Sequence, residues 1–416
     1  MPRILYITHA LPFPPNVGGN QRTAILQRAL SKHGEMDLIV VCRYGPLPRE
    51  LLEEGQRDHG VLEAVTLPWR GTLPPWNLVR RLAPRKVDRL AQAFGSQVMW
   101  YRPYPELSGV VEKALSAKHY DLIVSRHLYP AAMAGILQKP TGIPVIIDVD
   151  DVDHRVAEEN GHPSVPWYKR MAFVRQAREI RHAALPLFPK ASHLWVAASE
   201  DAEEFDPNRC SILPNIPYLK DEAPRVPCPP ARDSVSILLV ASMGYAPNSE
   251  GLEYLLKRVW PTIRKAVGNA TLRIVGSGMG DERQARWSAI PGVTALGFAP
   301  DLREEYQRAA FCVVPVHRGG GTKIKAIECF TFGRTCVVTT HSYRGIGDVL
   351  KHRKSLWRGD TDDQFAEGCI HLLTHPDERD AMAETGRLLV EREFNFAKFQ
   401  SVVDKTIEKV GLGAGK

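Results

Sequence analysis

Missing first of all is any run of ~18 consecutive apolar residues, the length a helix needs to cross a bilayer. The apolar start, Ile4 to Ile7, is too short for a signal peptide and suits a first strand. The seven cysteines, at 42, 210, 228, 312, 329, 336 and 369, are odd in number and contain no CxxC pair. That speaks against a disulfide framework or a zinc site and for reduced, packed thiols in a cytosolic protein. No Gly-x-Gly-x-x-Gly follows the first apolar segment, whose loop, Leu11–Asn16, is proline-rich instead. A dinucleotide oxidoreductase is therefore the least favoured enzyme class. Nucleic-acid-binding motifs are lacking, so no nucleic-acid partner is expected. Internal repeats are lacking as well.

What is present is a globular composition over 416 residues: 44% apolar, 24% charged, and a net charge of +7 that fits an anionic partner. Strand-like and helix-like segments alternate throughout, which argues for an α/β protein with parallel sheets covered on both faces. In the first half, strands are expected at 3–8, 36–42, 121–125, 145–148, 193–197 and 211–213. Helices are expected at 20–32, 87–94, 107–118 and 168–184. From Asn215 to Ser234 the chain turns proline-rich and aperiodic, then the alternation restarts with a strand at 235–241 and a helix at 250–266. We expect a first domain over 1–218, a linker over 219–234 and a second domain over 235–393. An amphipathic segment within 394–416 would return to the first domain.

The densest motif runs from Phe311 to Thr340. An apolar segment to Val316 reads as a buried strand, Gly319-Gly320-Gly321 breaks it, and Thr322 stands as an N-cap. Ile324, Ile327 and Phe330 then recur at helical spacing, Gly333 ends the helix, and 335–340 reads as the next strand. A glycine loop at a helix start lets backbone N–H groups approach an anion, with the helix dipole behind them. Arg318, Lys323 and Lys325 add positive charge. Glu328, about one and a half turns in, suits a pair of ribose hydroxyls. Phosphate and ribose recognition in one unit points to a nucleotide-type ligand. A plain strand–helix turn with a surface Glu is the other reading.

Weaker candidates share the expected carboxyl edge of the strands, where open α/β sheets bind ligands. They are Gly18-Gly19 after the strand at 3–8, His127 after that at 121–125, and Ser242 to Asn248 with Gly276 in the second half. His127 suits a sugar hydroxyl or a proton relay, or is an ordinary histidine. Asn248 or Ser249 is expected to cap a helix. Asp148-Val149-Asp150 is a conceivable Mg²⁺ pair, but no third ligand accompanies it. We expect no metal there, and a structural role orienting basic neighbours such as Arg155. Two basic, aromatic-flanked stretches, 76–89 and 167–181, suit peripheral contact with an anionic membrane, or simply a solvated face.

Together these residues resemble family 4 of the glycosyltransferases, retaining enzymes with two Rossmann-like domains facing across a cleft (GT-B). The likeness covers nearly the whole chain and rests above all on Gly321-Thr322-x-x-Lys325-x-x-Glu328. Ser242 to Asn248 is similar to a subgroup of bacterial polysaccharide-type enzymes. The resemblance implies transfer of a sugar from a nucleoside diphosphate sugar to a hydroxyl acceptor, without a cofactor or a metal. In that reading the first domain is the acceptor side and the second binds the donor. Glu328 would hold the ribose. Lys325 and the Gly320–Thr322 amides would stabilise the leaving diphosphate. Gly18, Gly19, Asn248, Gly276, Arg318 and Lys323 would line the donor site, and His127 would contact the sugar. The family often has a Glu where this chain has Gly320, and an Arg/Lys pair where it has Ser242 and Asn248. A catalytically silent nucleotide-sugar-binding subunit and a 2-epimerase of the same architecture stand as alternatives. The expected location is cytoplasmic, with room for attachment to the inner face of the membrane.

Overall fold

The computed structural model describes residues 1–15, 18–43, 45–67, 98–139, 141–161, 167–219, 225–320 and 324–412. The chain divides into two compact units, Met1–Leu213 with Gln400–Lys416, and Pro214–Phe399. In the first unit the strands are β1 (Arg3–Thr8), β2 (Glu35–Cys42), β3 (Val61–Thr66), β4 (Leu122–Arg126), β5 (Val145–Asp150), β6 (His193–Val196) and β7 (Cys210–Ile212). They form one sheet in the order β3-β2-β1-β4-β5-β6-β7, every pair parallel. A parallel sheet needs both faces covered. Helices α1 (Gly18–Ser31), α2 (Arg49–Asp58), α3 (Pro105–Ala117), α4 (Leu128–Met133), α5 (Asp153–Asn160), α6 (Trp167–Ala184) and α7 (Ser199–Ala202) alternate with the strands. Strand residues such as Leu5, Ile39, Ile123 and Ile147 are wholly buried in its core.

The second unit repeats the plan. Its strands are β8 (Ser236–Val240), β9 (Thr271–Val275), β10 (Val293–Gly297), β11 (Phe311–Val314), β12 (Cys336–Val338) and β13 (Trp357–Arg358). They are ordered β10-β9-β8-β11-β12-β13. Its helices are α8 (Ala246–Tyr254), α9 (Trp260–Ala266), α10 (Asp281–Ser288), α11 (Arg303–Arg308), α12 (Ile324–Thr331), α13 (Thr340–Tyr343), α14 (Asp362–Thr374) and α15 (Pro376–Glu393). In each sheet the strand order reverses at one place, between β1 and β4 and between β8 and β11. Connections leave such a point in opposite directions, so a crevice opens at the carboxyl ends of those strands.

Three details depart from the sequence reading. The helix expected over 250–266 is broken by a wider π turn at Leu255–Val259. Pro261 lacks an N–H and its ring crowds the preceding turn, and the extra residue of a π turn relieves both. That helix also begins earlier, at Ala246, with Pro247 in its first turn. Asn248 is therefore inside the helix and not its cap. Finally, residues 225–234 carry no regular element yet are fastened to the second unit. The Cys228 N–H donates to the Phe332 carbonyl at 3.0 Å, and Arg334 donates to the Pro229 carbonyl at 2.8 Å.

The last helix, α16 (Phe396–Lys409), packs on the first unit from Gln400 onward. The buried Trp195 indole N–H donates to Thr406 Oγ1 at 2.9 Å, and Gln400 donates to the Ala29 carbonyl at 3.2 Å. All seven cysteines are free thiols, six of them buried. The helix expected at 87–94, the basic stretch 76–89 and Gly321, Thr322 and Lys323 lie outside the described residues.

Candidate functional site

At the β1/β4 switch point the first unit gathers four loop ends. His127 follows β4 directly, with φ of 63°, and is 8% exposed. Its ring meets that of His9, one residue past β1, at 4.6 Å between centroids. Tyr129 and Trp100 continue the aromatic wall, and Arg43, one residue past β2, lies over the Trp100 ring at 4.1 Å. Both imidazoles have a buried Nδ1 without a hydrogen-bond partner among the described residues. An orphaned lone pair costs less than an orphaned N–H, so the neutral form with its proton on Nε2 is favoured. Burial lowers the pKa of His127. It lowers that of His9 further, aided by His127, Arg126 and Arg43. Both rings are thus neutral at pH 7 and suited to hydrogen-bonding hydroxyls. His9 escaped the sequence reading because a lone histidine after a strand carries no spacing signal.

Gly18 and Gly19 open α1, and the Gly19 carbonyl accepts from Arg126 at 2.5 Å. Arg126 immediately precedes His127, so the glycine loop and the histidine are joined through one guanidinium. The same guanidinium pairs with Asp150 at 2.6 Å. Asp148 takes two hydrogen bonds from the Arg22 Nε and Nη2, at 2.9 and 2.5 Å, and both side chains are fully buried. The two carboxylates orient basic neighbours, but those neighbours are Arg22 and Arg126. Arg155, the neighbour expected from the sequence, pairs instead with Asp201 and Glu204 at 3.2 and 3.0 Å.

In the second unit the described candidates lie on the loops after β8, β9 and β11 and on α12. Gly251 lets α8 lie against the strand exit, since a Cβ there would stand 2.3 Å from the Pro315 carbonyl oxygen. Gly276 is needed for the same reason: its φ is 148° and an added Cβ would sit 1.8 Å from the Ala241 carbonyl oxygen. The loop after β9 thereby reaches the loop after β8, where Ser277 and Ser242 hydroxyls meet at 3.2 Å. Asn248, 8% exposed, donates to the Ser242 carbonyl at 2.8 Å and accepts from Lys325 Nζ. Lys325 and Glu328 are one turn apart on α12 and so share a face.

Glu328 is one-fifth exposed at its side chain and pairs with Arg225 at 3.1 Å. Burial raises its pKa, and Arg225 opposes that rise. Arg318 donates to both oxygens of Glu250, at 2.7 and 2.6 Å. Its charge is shared with that carboxylate. The loop carrying Gly319 and Gly320 is held from α13: His341 bonds the Gly319 carbonyl at 2.6 Å and Ser342 donates to the Val316 carbonyl at 3.1 Å. Arg225 and His341 were not singled out in the sequence, because one sits in an aperiodic segment and the other follows the recognised motif.

Comparison with known proteins fits this geometry. Residues 234–375 match the family model described as "Glycosyl transferases group 1". No curated protein matches the chain. Among solved structures, a sucrose-phosphate synthase from Thermosynechococcus elongatus superposes with a TM-score of 0.67 at 15% identity, over 99% of both chains. The Anabaena protein HepE in complex with UDP and glucose gives 0.62 at 13% identity, over 97% of this chain and 99% of that one. A glycosyltransferase from Rickettsia africae gives 0.65 at 11% identity, over 98% of each. The fold is therefore the two-unit α/β architecture these proteins share.

Proposed function

We propose that this chain is a retaining glycosyltransferase of the family 4 type that moves a sugar from a nucleoside diphosphate sugar to a hydroxyl acceptor. The observation that carries the reading is the contact of Lys325 with Asn248 beside the β8/β11 switch point, with Glu328 one turn further along the same helix. The match of residues 234–375 to a glycosyltransferase family model covers the same unit. Donor departure builds negative charge on the diphosphate, and preorganised donors there lower the barrier most. Lys325 and the backbone N–H groups of the glycine loop fill that role, with Gly276, Gly320, Gly321, Thr322 and Lys323 lining the diphosphate. Glu328 accepts the ribose hydroxyls. No protein nucleophile or metal is needed if the departing phosphate oxygen takes the acceptor's proton. Gly18, Gly19 and His127, with His9 beside it, belong to the sugar and acceptor side.

In the same reading the enzyme is cytoplasmic and works at the inner face of a membrane. Helix α6 turns Trp167, Met171 and Val174 outward at 74, 65 and 46% exposure. It carries five basic residues against one acid, a net +4 of the chain's +7. Apolar anchors flanked by arginines are complementary to an anionic bilayer. A second reading, a subunit that binds donor without turnover, is favoured by the engagement of Arg318 with Glu250 and by Gly320 standing in place of a carboxylate.

The test is thermal shift against UDP-, GDP-, ADP- and dTDP-sugars for the wild type and Glu328→Gln. A ligand at 100 times its Kd stabilises by about 2.7 kcal/mol. We expect one nucleotide to stabilise the wild type and to lose most of its effect in the variant. No response to any nucleotide would remove the nucleotide-sugar reading. Binding without release of free nucleotide in the presence of acceptors would favour the silent subunit.

A further inference from the structure

We propose that Arg225, in the aperiodic segment ahead of β8, is a positioning residue for the nucleotide site: it holds Glu328 as an oriented carboxylate ready for the two hydroxyls of a ribose. This rests on the reading of Glu328 as the ribose-binding residue. Three contacts fix the guanidinium. It donates to Glu328 Oε1 at 3.1 Å, donates to Thr331 Oγ1 at 3.2 Å, and lies over the Phe332 ring at 4.5 Å. Thr331 in turn donates to the Glu328 carbonyl at 2.8 Å. Arg225 thus clamps the last turn of α12 and the residue after it, and touches one oxygen of Glu328 while the other is uncommitted by that contact. A carboxylate accepts from two hydroxyls only while ionised, and a protonated one has an acceptor turned donor.

Lys325, one turn back on the same face of α12, donates to Asn248 Oδ1, and two further titratable neighbours of Glu328, Tyr306 and Cys329, are not cations. Tyr306, on α11, is buried and pushed far above the usual phenol range. Cys329, the next residue on α12, donates its S–H to the Lys325 carbonyl at 2.9 Å. Burial acts on Glu328 toward the neutral acid, and Arg225 is the cation that acts against it. Glu328 needs its proton off to bind, so affinity falls as pH drops through its pKa. Removing Arg225 raises that pKa and moves the loss of affinity to higher pH.

The experiment has a ligand-free arm and a binding arm. Protein carrying ¹³C-carboxyl glutamate is titrated by NMR, the Glu328 signal being assigned by its absence in Glu328→Gln. In Arg225→Met we expect its midpoint to move up by about one unit or more, with Arg225→Lys restoring most of the shift. UDP-, GDP-, ADP- and dTDP-glucose are then titrated calorimetrically from pH 5 to 8.5. Their diphosphate diesters do not titrate there. The acid limb of binding is expected to shift upward in Arg225→Met, so that its loss of affinity relative to wild type grows as pH falls. An unmoved Glu328 midpoint overturns the proposal. So does a loss of affinity equal at every pH, which is what a merely structural clamp gives. If Glu328→Gln binds every nucleotide as wild type does, or none binds to either protein, the ribose reading itself falls and takes this inference with it.

Discussion

A guanidinium buried against a carboxylate is useful to a fold only as a pair. Arg22 and Asp148 are shut away from water together, and Arg22 also reaches the Leu213 carbonyl at 3.1 Å. The triple contact ties α1 to the exit of β5 and to the last residues before the second unit. Arg22→Met should leave Asp148 charged and uncompensated, costing about 3–5 kcal/mol in urea unfolding. Arg22→Met combined with Asp148→Leu should recover a large part of that loss. If the single change costs under about 1 kcal/mol, Asp148 has another counter-charge. Pairs of this sort were hidden in the sequence, since Arg22 and Asp148 lie 126 positions apart and neither has a local signature. The same holds for Arg225 and Glu328, where one partner was recognised by its motif and the other was absorbed in a proline-rich stretch. Motifs disclose residues whose neighbours are local. Residues that meet through tertiary packing remain invisible until the packing is known.

At the scale of the element, the chain was legible wherever burial was uniform. β1, β4, β5 and β11 are mostly apolar and almost wholly buried, and the sequence marks them plainly. β3 was missed because it is an edge strand whose middle residue, Glu63, is exposed. The helix expected over 250–266 was read as one piece because a π turn changes no hydrophobic spacing until it has occurred. Helix α6 was legible as both basic and aromatic, and its outward face tests the membrane reading directly. Pelleting with phosphatidylglycerol vesicles should be strong in low salt and weak with phosphatidylcholine. Changing Trp167, Met171 and Val174 to Ser should abolish it. Arg178→Gln and Arg181→Gln should each weaken it by about fivefold, in line with ~1 kcal/mol per basic residue at the surface. Equal pelleting by the serine variant would remove α6 from the membrane reading.

For the molecule as a whole, the decisive fact is that each sheet reverses its strand order once. Of the described candidates, Gly18, Gly19 and His127 lie beside the first reversal and Asn248, Arg318, Gly320, Lys325 and Glu328 beside the second. This makes a prediction for hydrogen exchange with a bound nucleoside diphosphate sugar. Protection should appear in residues 241–248, 315–320 and α12, because those amides lie at the β8/β11 reversal. The β10 and β13 edges should exchange as before. Protection centred on the first unit alone would place the nucleotide at the other reversal and exchange the roles given to the two units.

The hydrogen bond from Trp195 to Thr406 has a bearing on how the protein is made. During synthesis the whole of Pro214–Phe399 emerges before Thr406 does, and that stretch holds every strand of its own sheet. Every strand of the second unit is thus synthesised before Gln400 and Thr406, which supply the first unit with its contact to Ala29 and the acceptor for its buried indole N–H. The half of the protein translated first is the half completed last.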